Sequence, residues 1–211
     1  MPFELGRPLG VPGDAEFQIE VLRTALKLLE LSGGPVIEDF PTEAPVTDGM
    51  TIWACPVNLT TTETKFSKSE ELIRGFKQEM NQLRPWYDLA VKQRQRSTLG
   101  LSGFNLDDLA DFFSSFIENG LSKNPSGDLP LALTFRLAVD DLKAYYCEAI
   151  TAQPGKVAPS SKQLEDWFWG ETVAAKVLLE VKRACENSND NMLQLVVKRL
   201  LVPMSQMHRT V

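Results

Sequence analysis

The 211-residue chain carries 22 basic and 28 acidic side chains, a net charge of −6, with an isoelectric point near 5.0. That balance excludes a non-specific nucleic-acid binder, which needs a basic face. The composition, 43% hydrophobic and 24% charged, is that of a folded chain with a real core and not of a disordered one. No apolar run approaches the roughly 18 residues needed to span a bilayer, and the N-terminus lacks the charged and apolar regions of a signal peptide. A cytoplasmic location and no membrane partner are therefore expected. Cys55, Cys147 and Cys185 are scattered and have no CxxC spacing, which points to reduced thiols and away from a disulfide framework or a zinc site.

In chain order, three glycines and three prolines crowd the first dozen or so residues, which makes a turn-rich lead-in. Asp14 is placed to cap a first helix, in which Phe17, Val21, Ala25 and Leu28 recur at helical spacing until Gly33-Gly34-Pro35 stops it. Residues 42–66 are rich in proline and threonine and predict a linker with at most an extended segment around Trp53, because Pro56 would remove a ladder hydrogen bond. From Ser67 on, the pattern is helical. Ser67 and Glu70 form a capping box ahead of Leu72, Ile73, Phe76, Met80 and Leu83, and Pro85 either kinks that helix or starts a second one. Asn105 caps the next helix, which ends at Asn119-Gly120.

Residues 129–153 form the cleanest amphipathic pattern, with Phe135, Val139, Leu142, Tyr146 and Ile150 along one seam. Ser160 with Gln163 opens a helix predicted to run from residue 164 to about 186, and a last helix covers residues 192–201. Pro203 breaks it, and residues 204–211 are predicted to fray. The expected fold is all-α: an N-terminal helix (residues 1–41), a linker (42–66), then a bundle of about five helices (67–203).

Two stretches carry a specific resemblance. The first is Glu4-Leu-Gly-Arg-Pro-Leu-Gly-Val-Pro-Gly-Asp14, continuing through Phe17-Gln18, Val21-Leu22 and Ala25-Leu26 to Gly34-Pro35-Val-Ile-Glu-Asp-Phe-Pro41. It resembles the closing segment of the glycine/sarcosine/betaine reductase selenoprotein B family. The second, Leu83-Arg-Pro-Trp-Tyr-Asp-Leu-Ala-Val91 with Asp166-Trp-Phe-Trp-Gly-Glu-Thr172, looks like the helical extension of a less studied bacterial branch. In that family the closing segment follows an α/β region bearing the redox-active selenocysteine or cysteine. The resemblance thus implies the downstream, non-catalytic part of a longer oxidoreductase, with that region or another protein packing on residues 1–40. Cys55-Pro56 lies after the matching segment and does not correspond to the catalytic position.

Glu171 is the side chain most open to a chemical reading, because its helix position groups it with the apolar Leu164, Trp167, Ala174 and Leu178. A carboxylate there should be paired or shifted in pKa. Asp140, Asp141 and Glu148 on the preceding helix, with Arg84, Tyr87 and Asp88 near Pro85, are expected to converge on it as an ion-pair network, with Arg84 bonded to Asp141 or Glu171. As a ligand site, Glu171, Asp141, Asp140, Arg84, Tyr87 and Trp167 would be its walls. Facing carboxylates also suggest a di-metal bundle, but the single histidine, His208, leaves out the usual nitrogen ligands, so neither metal nor cofactor is expected. Of Trp167, Phe168 and Trp169, at least one is expected at a rim or under a loop, and Gly170 in mid-helix predicts close approach of another chain segment. No GxSxG, GxxxxGK[ST] or GxGxxG motif occurs.

Overall fold

The computed structural model describes residues 9–10, 13–42, 67–120, 124–125, 127–153, 159–186 and 188–210. Among them the fold is all-α, and no helix is long and apolar enough to cross a membrane. The expected extended segment around Trp53, and Cys55 with it, lies outside the described residues. The chain divides into two compact units, Met1–Thr51 and Ile52–Val211.

The first unit is built on α1 (Ala15–Lys27), which a 3₁₀ turn, Leu28–Glu30, continues. Asp14 caps it as expected, its carboxylate accepting from the Phe17 N–H at 3.0 Å. The core here is small. Phe17 and Val21 bury one face of α1 against Phe40, whose ring meets that of Phe17 edge-on at 6.0 Å, with Leu9 packed beside them. Gly10, in the left-handed region at φ +79°, lies so close that a Cβ would sit 2.4 Å from the Phe17 ring. Only glycine satisfies both demands.

The second unit contains α2 (Lys68–Arg94), α3 (Leu106–Asn119), α4 (Leu131–Thr151), α5 (Ser161–Glu171), α6 (Val173–Cys185) and α7 (Asn191–Arg199). α2 packs on α3, α4 and α6, and α4 also meets α7. The expected caps are present: boxes at Ser67/Glu70 and Ser160/Gln163, and Asn105 accepting from the N–H groups of Asp107 and Asp108. The α4 seam of Phe135, Val139, Leu142, Tyr146 and Ile150 is buried throughout. α2 passes through Pro85 without ending. Proline removes the donor that the Asn81 carbonyl would use and crowds the preceding turn. In that turn the Tyr145 hydroxyl, reaching from α4, donates to the Met80 carbonyl at 2.5 Å.

Two expectations are corrected. The helix predicted over residues 164–186 is two helices, because Thr172 adopts an extended backbone (φ −77°, ψ 151°) between α5 and α6 and caps α6 by accepting from the Ala175 N–H at 3.1 Å. The segment predicted to fray is a 3₁₀ helix, Met204–Thr210, which packs on α5. It is held mainly by polar contacts. The Gln206 amide donates to Asp166 at 2.7 Å and accepts from Arg209 Nε at 2.8 Å, while Ser205 bonds Glu165. Met204, at its start, remains 88% exposed.

At least one of Trp167, Phe168 and Trp169 is expected at a rim or under a loop; all three are buried, so none stands at a rim. Trp167 and Phe168 turn towards Tyr146, at centroid distances of 6.2 and 5.5 Å. Trp169 lies under the Lys143 ammonium, 5.2 Å from its ring. A lysine stem can cover an aromatic face as well as a hydrocarbon can.

Candidate functional site

The second unit buries three carboxylates, Glu79, Asp141 and Glu148. Each is organised by backbone and hydroxyl donors.

Asp141 and Glu148 lie about two helical turns apart on α4 and together hold the loop between α2 and α3. Asp141 accepts from the N–H groups of Gly100 (2.8 Å), Leu101 (2.9 Å) and Ser102 (2.8 Å), and from the Ser102 hydroxyl (2.5 Å). Glu148 accepts from the Thr98 N–H and hydroxyl, both at 2.7 Å, and from Ser97 Oγ at 2.9 Å. The Tyr87 hydroxyl extends that chain, 3.0 Å from Ser97 Oγ, with its ring 5.1 Å from that of Tyr145. Burial pushes the Glu148 carboxyl up, but the donors of Thr98 and Ser97, with the charge of Arg94, outweigh it and hold the group below the usual glutamate value.

Glu79, 2% exposed, faces the opposite way, into the start of α6. It accepts from the N–H groups of Val173 (2.9 Å) and Ala174 (3.0 Å) and from the Tyr146 hydroxyl (2.8 Å). The first N–H groups of a helix have no intrahelical acceptor and carry the positive end of its dipole, so a carboxylate from α2 satisfies both. Burial pushes the Glu79 carboxyl up, against the pull of these donors and of Lys176, and pushes the Tyr146 hydroxyl well up. Glu79 is not among the expected site residues, although its place among Phe76, Met80 and Leu83 on the inner stripe of α2 marks it as a charge in an apolar pattern.

The six expected site residues are not gathered. Glu171 is exposed at the end of α5, because the extended Thr172 stops the helix before its apolar face can continue past it. Arg84 pairs with Asp107 at 3.4 Å in the open, neither with Asp141 nor with Glu171. Asp140 pairs within α4 with Arg136 at 3.0 Å. Asp88 is exposed. Asp141 and Tyr87 do belong to one region, through the loop over residues 97–102, and Trp167 is core against Tyr146.

The described thiols are poorly suited to nucleophilic work: burial pushes Cys147 up and Cys185 to about 11. Lys143 is a partly buried amine whose pKa is lowered. Burial lowers it to about 8 despite the opposing charge of Asp140, and its ammonium donates to the Leu201 carbonyl at 2.9 Å. Among the described residues, no group of three or more His, Cys, Asp or Glu side chains is placed to hold a metal ion. A small pocket of about 170 Å³ lies between α2 and α3, floored by Met80, Leu106, Ala110 and Tyr145 and flanked by the pairs Arg84–Asp107 and Lys77–Asp111.

Fold and site together define an all-α bundle whose buried acids organise its own backbone. Comparison of the chain with family models, with curated proteins and with solved structures finds no match.

Proposed function

We propose that this chain is the non-catalytic, helical part of a selenoprotein-B-like oxidoreductase of the glycine/sarcosine/betaine reductase kind, serving structural and subunit-interaction roles. The single observation behind the non-catalytic reading is that Glu79, Asp141 and Glu148 are each taken up by donors of the chain itself. A general acid or base needs a face left for substrate, and the two described thiols are held protonated. The oxidoreductase assignment rests on the motif at residues 4–41 and on the second motif, at residues 83–91 and 166–172. The interaction role draws on the outer side of α1, where Ile19, Leu22 and Leu26 are exposed around a groove of about 400 Å³.

Sedimentation velocity with a purified selenoprotein-B-like catalytic subunit tests this. A complex at micromolar concentrations is expected, weakened at least tenfold by the double change Leu22→Glu, Leu26→Glu. Absence of a complex at about 100 µM, a range where even weak encounters register, would sink the proposal.

The competing function is an independent bundle that binds a small ligand, and the observation in its favour is the pocket beside Arg84 and Tyr145. Arg84→Ala would then abolish ligand binding while leaving sedimentation with the catalytic subunit unchanged.

A further inference from the structure

The 3₁₀ segment Met204–Thr210 crosses the outer side of α5 at Glu165, Asp166 and Gly170. Asp166 and Gly170 are about one helical turn apart on a single face, with Glu165 next to Asp166. Gln206 is the hub of the contact. It is buried, and its amide joins Asp166 on α5 to Arg209 on the segment itself. Arg209 in turn rests on Gly170, where a Cβ would lie 3.0 Å from Nη1 and 3.2 Å from Cζ of its guanidinium. This gives the glycine in the last turn of α5 a reason: it opens a notch that the arginine fills. Leu201 and Val202, before Pro203, are buried in the bundle core, whereas within the segment only Met207 packs on that core, and partly. The apolar anchoring therefore ends where the polar docking begins.

We propose that Met204–Thr210 is a releasable strap, which leaves α5 as a unit while α2 to α7 stay folded, baring the Gly170 notch, freeing Glu165 and releasing the Asp166 oxygen that Gln206 holds, while Lys162 keeps the other. Pro203 marks the hinge. This inference does not depend on the proposed oxidoreductase role.

Hydrogen exchange on the full chain tests it, with carbodiimide labelling of carboxylates as a second readout. Strap amides are expected to exchange about 100-fold faster than those of α4, as sub-global opening requires. Gln206→Ala should speed exchange in the strap by a further factor of about ten and raise labelling of Glu165 and Asp166 several-fold, with α2 and α4 unchanged. Gly170→Ala should act in the same direction by pushing on Arg209. Strap amides as slow as those of α4 would overturn the proposal, as would α2 and α4 opening together with the strap in Gln206→Ala, or labelling of Glu165 and Asp166 that neither variant changes.

Discussion

The two units handle apolar surface in opposite ways. In the second, α4 is buried on most of its circumference, and even its acids are turned inward and satisfied. In the first, α1 buries Phe17 and Val21 but exposes Ile19, Leu22 and Leu26, while Ile37 beyond it is 95% exposed. The pattern of α1 is more amphipathic than that of the well-buried α4, so amphipathicity alone does not decide burial. Neighbours do. A helix with one small aromatic cluster beside it can hide only one stripe, whereas a helix surrounded by others can hide charged groups as well, provided that each finds donors.

The strongest way to break this contrast is Glu79→Ala. It leaves two N–H groups at the start of α6 and the Tyr146 hydroxyl without an acceptor in the core, and should cost about 3 kcal/mol or more in denaturant unfolding. Glu79→Gln, which keeps an acceptor oxygen, should cost clearly less. If the alanine variant lost under about 1 kcal/mol, Glu79 would not be holding α6 in place. Asp141→Ala comes next, at about 2 kcal/mol. Its mark is local: the amides of Gly100, Leu101 and Ser102 should lose exchange protection before those of α4, and uniform loss would argue against a loop clamp.

Two pH effects act in the same direction, each raising stability as pH rises, but in separate windows. Glu148 is held below 4.5, so its contribution is present above that value and is lost as pH falls through the depressed one. Lys143 is lowered from 10.5 to about 8, so between those values the unfolded chain holds a proton that the fold has released. Stability should therefore rise across that window, by up to about 3 kcal/mol. A Lys143→Met variant should lose the rise, and an unchanged pH profile would show that the amine is solvated in the fold. The smallest effect is expected in the first unit. Leu26→Glu, at an exposed position, should change stability by no more than about 0.5 kcal/mol, and a larger loss measured by thermal unfolding would mean that this side of α1 is covered in the free chain.

Much of the local architecture was legible because it is written within a few residues. Asp14, Ser67, Asn105 and Ser160 cap helices as their side-chain chemistry demands, and the α4 seam follows directly from its spacing. The candidate site was legible only in part. Asp141, Tyr87 and Trp167 were recognised as residues with something to explain, but the partners of Asp141 are loop amides rather than Arg84. Glu171 was assigned to a buried face by extending one helix through Thr172, an extrapolation that the extended backbone there invalidates.

What the sequence by itself determined is the all-α class, the helix starts and the apolar seams, since these depend on contacts three or four residues apart. Only the tertiary structure decided that α5 and α6 separate, that Glu79 reaches across from α2 to receive them, that α4 suspends the loop over residues 97–102, and that Met204–Thr210 docks on α5. The reason is physical. A buried polar group must find its partner wherever the packed chain brings a donor, and the donors that answered Glu79, Asp141 and Glu148 are mostly backbone N–H groups, which every residue type but proline supplies and which no sequence pattern marks.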